Sequence, residues 1–207
     1  MDIAGALKDN MKVFLPILGL VVVIIAFYMV DLDSNSFTDI TLGRRENTND
    51  EKLVYEAVVE TNLGNFRLNL YEEVAPKNVE NFISLVNEGF YDELTFHRVI
   101  ENFIIQTGDP SGDGTGNAGY YVDDEIAEGL VFREYLVAMA NEQKPNTNSS
   151  QFFITLEGGN FSHLNENYTV IGEVVEGFSV VESIGSVDVD SHYVPKVDVV
   201  VERIAIK

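Results

Sequence analysis

The sequence predicts a mainly β fold: a closed β-barrel capped by two α-helices, preceded by one N-terminal transmembrane helix. Three observations carry this. Residues 13–30 are an uncharged apolar run, about 155 residues from position 52 onward hold many short alternating segments, and only two stretches there repeat with a helical period. Closing a sheet on itself removes its edges, and helices can cover the open ends.

Residues 13–30 read VFLPILGLVVVIIAFYMV, eighteen residues without a charge. As a helix they span roughly 27 Å, close to the hydrocarbon thickness of a bilayer. Pro16 lies in the first turn, where its missing N–H matters little, and Tyr28 near the far end suits an interface. A cleavable signal peptide is the competing reading, but Phe27-Tyr28-Met29-Val30-Asp31 is a poor small-x-small site. An uncleaved signal anchor is therefore expected. Lys8 and Lys12 precede the run while Asp31 and Asp33 follow it, which favours a cytoplasmic N-terminal tail over residues 1–12. The expected location is a single-pass membrane protein with its folded domain on the extracytoplasmic side. Residues 31–51 are polar with no sustained period and read as a linker, its ends roughly 25 Å apart as a flexible coil.

The folded domain is expected over residues 52–207. Val54–Thr61 is rich in β-formers, Asn62-Leu63-Gly64-Asn65 has turn chemistry, and Phe66–Tyr71 alternates, which together predict a hairpin. In 75–88, Val79, Phe82, Ile83 and Val86 recur at helical spacing, with Pro76 at the start and Gly89 beyond the end. Further strands are expected at 95–100, 103–107, 136–140, 151–156 and 169–175, a short helix at 178–184, and a last strand through 197–206.

Composition narrows the function. The net charge is −21, which repels phosphate backbones and argues against a nucleic-acid partner. There is no cysteine, which excludes disulfides and thiolate chemistry. His97, His163 and His192 lack HExxH spacing, and no G-x-S-x-G elbow is present. The stretch 108–119, GDPSGDGTGNAG, lacks the G-K-[ST] ending of a phosphate loop, and Asp109 and Asp113 would repel phosphate. A glycine-rich turn is the better reading.

What remains is a set of polar residues inside apolar strands. One segment is Phe96-His97-Arg98-Val99-Ile100 followed by Phe103-Ile104-Ile105-Gln106. A second is Met139-Ala140-Asn141 with Pro145-Asn146-Thr147-Asn148-Ser149-Ser150-Gln151-Phe152-Phe153-Ile154. The third runs from His163-Leu164 to Tyr168 and Gly172. On pattern alone, Arg98 either faces a cleft or snorkels to solvent.

Together these segments resemble the cyclophilin family over about residues 54–207. The resemblance rests on F-H-R-V-I-x-x-F-I-x-Q-x-G-D-P and on M-A-N followed by P-N-T-N-x-S-Q-F-F-I. It implies an eight-stranded antiparallel barrel with two capping helices and a peptidyl-prolyl cis–trans isomerase that needs no cofactor and no metal. It matches Arg98 to the catalytic arginine and Phe103, Ile104, Phe153 and Leu164 to the apolar pocket for the proline ring. Ile104 stands where many members have methionine. Gln106 and Gln151 match polar groups beside the rotating bond, Gln106 being assigned with Arg98 to catalysis. Ala140 and Asn141 match the strand edge that binds substrate backbone, and His163 and Tyr168 the cleft rim.

There are departures from the family pattern. Glu142-Gln143-Lys144 makes one loop a residue longer, and Ser149 replaces a glycine. Either His163 or Phe161 takes the place of a frequent tryptophan, and Tyr168 that of a common histidine. Partners are expected to be proline-containing polypeptides, the chain being a monomer held to the membrane through residues 13–30. The alternative is a proline-peptide binding module or chaperone with little turnover, using the same pocket without accelerating rotation.

Overall fold

The structure, a computed structural model, describes residues 55–207. The expected anchor and linker lie outside the described residues. Among those residues no helix is long and apolar enough to cross a membrane.

The strands are β1 (Glu56–Thr61), β2 (Gly64–Leu70), β3 (Leu94–Thr95), β4 (Arg98–Ile100), β5 (Ile104–Thr107), β6 (Leu136–Met139), β7 (Phe152–Thr155), β8 (Val170–Glu176) and β9 (Val200–Ile206). The helices are α1 (Pro76–Asn87) and α2 (Phe178–Gly185). Within residues 55–207 the expected hairpin, both helices and the strands at 103–107, 136–140, 151–156, 169–175 and 197–206 are present with ends shifted by a few residues, while the strand expected at 95–100 is divided in two.

The closed eight-stranded barrel is corrected. The nine strands form one open, half-barrel sheet in the order β3-β9-β1-β2-β8-β6-β7-β5-β4. The reason lies in the segment read as one strand over 95–100. Phe96 and His97 are buried in succession, which breaks the inside-outside alternation of a strand. The halves then pair with different neighbours, β3 with β9 and β4 with β5, both antiparallel. The ends of the sheet are thus consecutive in sequence, and no ladder joins them.

Inside the curve lies the main core. Val79, Phe82, Leu85 and Val86 of α1 pack there with Phe66, Leu68, Tyr91, Ile105, Met139, Phe152 and Ile154. Phe82, Tyr91 and Phe152 meet mostly edge to face, with centroids 5.3–5.7 Å apart, the arrangement the ring quadrupoles favour. The α1 stripe runs through Leu85, while Ile83 is only partly buried. Ala75 offers no side chain to cap this helix. Glu125 does so from a distant loop, accepting from the backbone N–H of Lys77 (3.2 Å) and of Asn78 (2.9 Å), so a carboxylate faces the positive end of the helix dipole.

Strict alternation along β4, β5, β6 and β7 gives this half of the sheet a second apolar face. Val99, Ile105, Val137, Met139, Phe152 and Ile154 point to the main core. Their neighbours Ile104, Leu136, Ala138 and Phe153 join Phe132, Phe161, Leu164 and Val170 in a separate cluster on the other side. The candidate site lies on this outer face.

Candidate active site

Register places the polar residues of the outer face side by side. Arg98 pairs across β4–β5 with Gln106, and Gln106 across β5–β7 with Phe153. Arg98 is exposed; Gln106 and Gln151 are half-buried. Four hydrogen bonds run in one direction. Arg98 Nη1 donates to Gln106 Oε1 (3.2 Å), and Gln106 Nε2 donates to Gln151 Oε1 (2.8 Å). Gln151 Nε2 donates to the carbonyls of Gly114 (3.1 Å) and Gly116 (2.8 Å). Each amide accepts on one side and donates on the other, which fixes the orientation of both glutamines and holds the guanidinium at the lip of the cleft.

The anchor of this chain is the glycine-rich loop. Asp109 is buried, and its carboxylate accepts from the N–H groups of Ser111 (2.7 Å), Asp113 (2.9 Å) and Gly114. The loop's inward donors are therefore satisfied by the chain's own carboxylate, which agrees with its reading as a turn. A Cβ on Gly116 would lie 2.1 Å from Asp109 Oδ1, and one on Gly108 would lie 2.4 Å from the Ser150 carbonyl oxygen, at a φ of +87°. Only glycine fits at either place.

Beside Arg98 opens a cavity of about 520 Å³. It is lined by all the expected cleft residues except Gln151, namely Arg98, Phe103, Ile104, Gln106, Ala140, Asn141, Phe153, His163, Leu164 and Tyr168. Gln151 lines the adjoining side cavity and reaches the cleft through Gln106. The apolar floor is built by ring contacts. Phe153 stacks on Phe132 (6.3 Å) and takes the edge of Tyr168 (5.2 Å, 87°). Phe103 stacks on His163 (5.3 Å) and on Phe161 (5.9 Å). Phe161 is buried in the outer apolar cluster beneath Phe103, whereas His163 is exposed and lines the cavity. Asn141 is tied down at both ends of its amide, donating to the Asn167 carbonyl (3.1 Å) and accepting from the Gln143 N–H (3.0 Å).

The cavity is also lined by His97, which the first candidate segment contained, by Gln143 of the lengthened loop, and by Asp113, Gly114, His192 and Val194, which the sequence reading did not assign to the site. His192 and Val194 belong to the 186–199 connection, which carries no periodic signal. Val99 N–H donates to the Tyr193 carbonyl (2.9 Å), which brings that connection against β4. His97 is buried with neither ring nitrogen hydrogen-bonded. Burial holds its imidazole below the ordinary value, against the opposing pull of the nearby Asp109 carboxylate. A neutral ring beside Arg98 adds no second positive charge to the cleft.

The arrangement offers an apolar bowl of Phe103, Ile104, Phe153 and Leu164 within a larger mixed lining, a cationic donor at its lip, and a strand edge at Ala140–Asn141. It presents no activated nucleophile.

The family described as cyclophilin type peptidyl-prolyl cis-trans isomerase matches residues 57–206. The chain is 41% identical over 177 residues to peptidyl-prolyl cis-trans isomerase A of Mycobacterium tuberculosis, covering 77% of this chain and 96% of that one. It is 45% identical over 137 residues to peptidyl-prolyl cis-trans isomerase ppi1 of Schizosaccharomyces pombe, covering 64% and 86%. A crystal structure of a Cryptosporidium parvum cyclophilin type isomerase, solved in the presence of the dipeptide Ala-Pro, superposes with a TM-score of 0.70 at 35% identity. It covers 73% of this chain and 98% of that one.

Proposed function

As a member of the cyclophilin-type peptidyl-prolyl cis–trans isomerases, the chain accelerates rotation about X–Pro bonds, and we propose that it does so through Arg98 poised over the pocket of Phe103, Ile104, Phe153 and Leu164. The observation that carries this is the directional chain from Arg98 through Gln106 and Gln151 to the Gly114 and Gly116 carbonyls. Rotation about X–Pro faces a barrier of about 20 kcal/mol because amide resonance is lost midway. In the twisted state the prolyl nitrogen pyramidalises and gains a lone pair. A guanidinium held in place donates to that lone pair more strongly than to the planar amide. The apolar bowl holds the ring while the preceding carbonyl swings, and Asn141 with Ala140 grips the backbone. Gln106 keeps the guanidinium plane aimed, a task suited to arginine's rigid fork of donors. A protease-coupled isomerisation assay tests the reading directly; binding of proline peptides without turnover would favour a binding module.

The site is proposed to work outside the cytoplasm on exported or envelope polypeptides, as a monomer tethered through residues 13–30 and without a nucleic-acid partner. The uncharged run and its flanking Lys8, Lys12, Asp31 and Asp33 support this. The full chain is expected in the membrane fraction, with its isomerase domain open to protease added from the extracytoplasmic side. Recovery in the soluble fraction at unprocessed mass would refute the anchor.

The rim supports a prediction on inhibition. Family members that bind cyclosporin tightly offer a tryptophan N–H with a large apolar face, and this chain has no tryptophan. His163 can donate, but its ring covers less apolar area. Cyclosporin is expected to inhibit weakly, and His163→Trp to lower the inhibitory concentration at least about fivefold, the worth of roughly 40 Å² of added apolar contact. Strong inhibition of the wild type with no gain in the variant would exclude this account.

A further inference from the structure

Three cavities meet along the cleft. A side cavity of about 380 Å³ shares Gln106, Gly114, Ala140, Asn141 and Gln143 with the central pocket. A third, also about 380 Å³, shares Asn141, Gln143, His163, Leu164 and Tyr168 with it. Asn141 and Gln143 line all three. Gln143 sits at a left-handed φ of 58° in the lengthened loop, which puts its neighbours on opposite sides of the junction: Glu142 lines the side cavity and Lys144 the third.

The charges along this groove are unbalanced. Glu142 is the one ionic group in the side cavity's lining, Asp113 lies in the central pocket, and Asp124 and Glu166 lie in the third cavity. Among the described residues none of these four carboxylates forms an ion pair with a lysine or arginine. Glu142 accepts only from the neutral Tyr121 hydroxyl, and Asp113 from the backbone and hydroxyl of Thr115. Asp124 accepts at Oδ2 from the Asn146 N–H (2.8 Å), while its Oδ1 is buried without a hydrogen-bond donor. The lysine and arginine of the lining are Lys144 and Arg98, and Arg98 is assigned to the prolyl nitrogen.

Resting on the isomerase reading above, we propose that this groove selects X–Pro segments flanked on both sides by lysine or arginine. A peptide laid along Ala140–Asn141 with its proline in the central pocket sends its flanking residues toward the two outer cavities. Lysine and arginine stems lie along apolar walls while their heads reach rim carboxylates. The net charge of −21 adds a long-range field that steers basic segments inward and turns acidic ones away.

The test uses the full chain and three peptides with one X–Pro core and flanks of lysine, alanine or glutamate. Both kcat/KM and Kd are measured at about 20 mM and about 500 mM salt. The lysine peptide is expected to exceed the glutamate peptide at least about tenfold at low salt in both quantities, narrowing to about threefold at high salt. In Glu142→Gln/Glu166→Gln the low-salt ratio is expected to fall at least about threefold, whereas in Glu202→Gln, remote on β9, it holds. Equal constants for all three peptides at low salt overturn the selectivity and leave the isomerase reading intact. Tighter binding of the lysine peptide with no turnover of any peptide supports the selectivity and overturns the isomerase reading.

Discussion

Arg98→Ala is expected to lower kcat/KM at least tenfold while the fold stays intact. The expectation follows from how little else the side chain does. It is exposed, and its one hydrogen bond among the described residues goes to Gln106. Losing that bond costs stability about 1 kcal/mol, so far-UV circular dichroism should be unchanged and the melting temperature nearly so. Catalysis is more sensitive, because a hydrogen bond that strengthens as the prolyl nitrogen pyramidalises contributes directly to the barrier, and each 1.36 kcal/mol is tenfold in rate. Arg98→Lys should recover only part of the loss, since a single ammonium lacks the planar fork that Gln106 orients. Full activity in Arg98→Ala would shift the donor role to Gln106.

The sequence carried much of this site because its residues sit in strands whose alternation is visible. Arg98, Ile104, Gln106 and Phe153 fall on one face by simple parity, and the antiparallel register then aligns Arg98 with Gln106 and Gln106 with Phe153. Helix α1 was equally legible from its apolar spacing. Less legible were features set by pairing between distant segments. The break at Phe96–His97, which leaves the sheet open, depends on β9 and β5 competing for the two halves of one apolar run. Asp109 read as a charge hostile to phosphate; only the fold shows it turned inward as the acceptor for three loop N–H groups. Glu125 as the cap of α1 lies 47 residues from its nearer partner in sequence and has no local signature. Whether His163 or Phe161 is the exposed ring depended on the short 3₁₀ turn at Ser162–Leu164, which exposes the one and buries the other.

Phe152 and Phe153 together separate folding from function, because neighbours on one strand face opposite sides of the sheet. Phe152 is fully buried in the main core against Phe82 and Tyr91. Phe153 is nearly as buried, at 3% exposure, but packs on Phe132 and Tyr168 in the outer cluster and lines the cleft. Truncating either ring leaves a large void, so both Phe152→Ala and Phe153→Ala are expected to destabilise by about 3–5 kcal/mol in urea unfolding. Activity should divide them. Assayed cold, well below both melting temperatures and corrected for the folded fraction, Phe152→Ala is expected to keep kcat/KM within about threefold of wild type. Phe153→Ala is expected to lose at least about tenfold, since a prolyl ring with no floor is held neither in register with Arg98 nor away from water. A Phe153→Leu variant restores apolar volume and should recover stability more fully than activity, because a branched side chain fills the space without presenting a flat face. Equal activity losses at positions 152 and 153 would mean that the outer face is not where the proline ring binds.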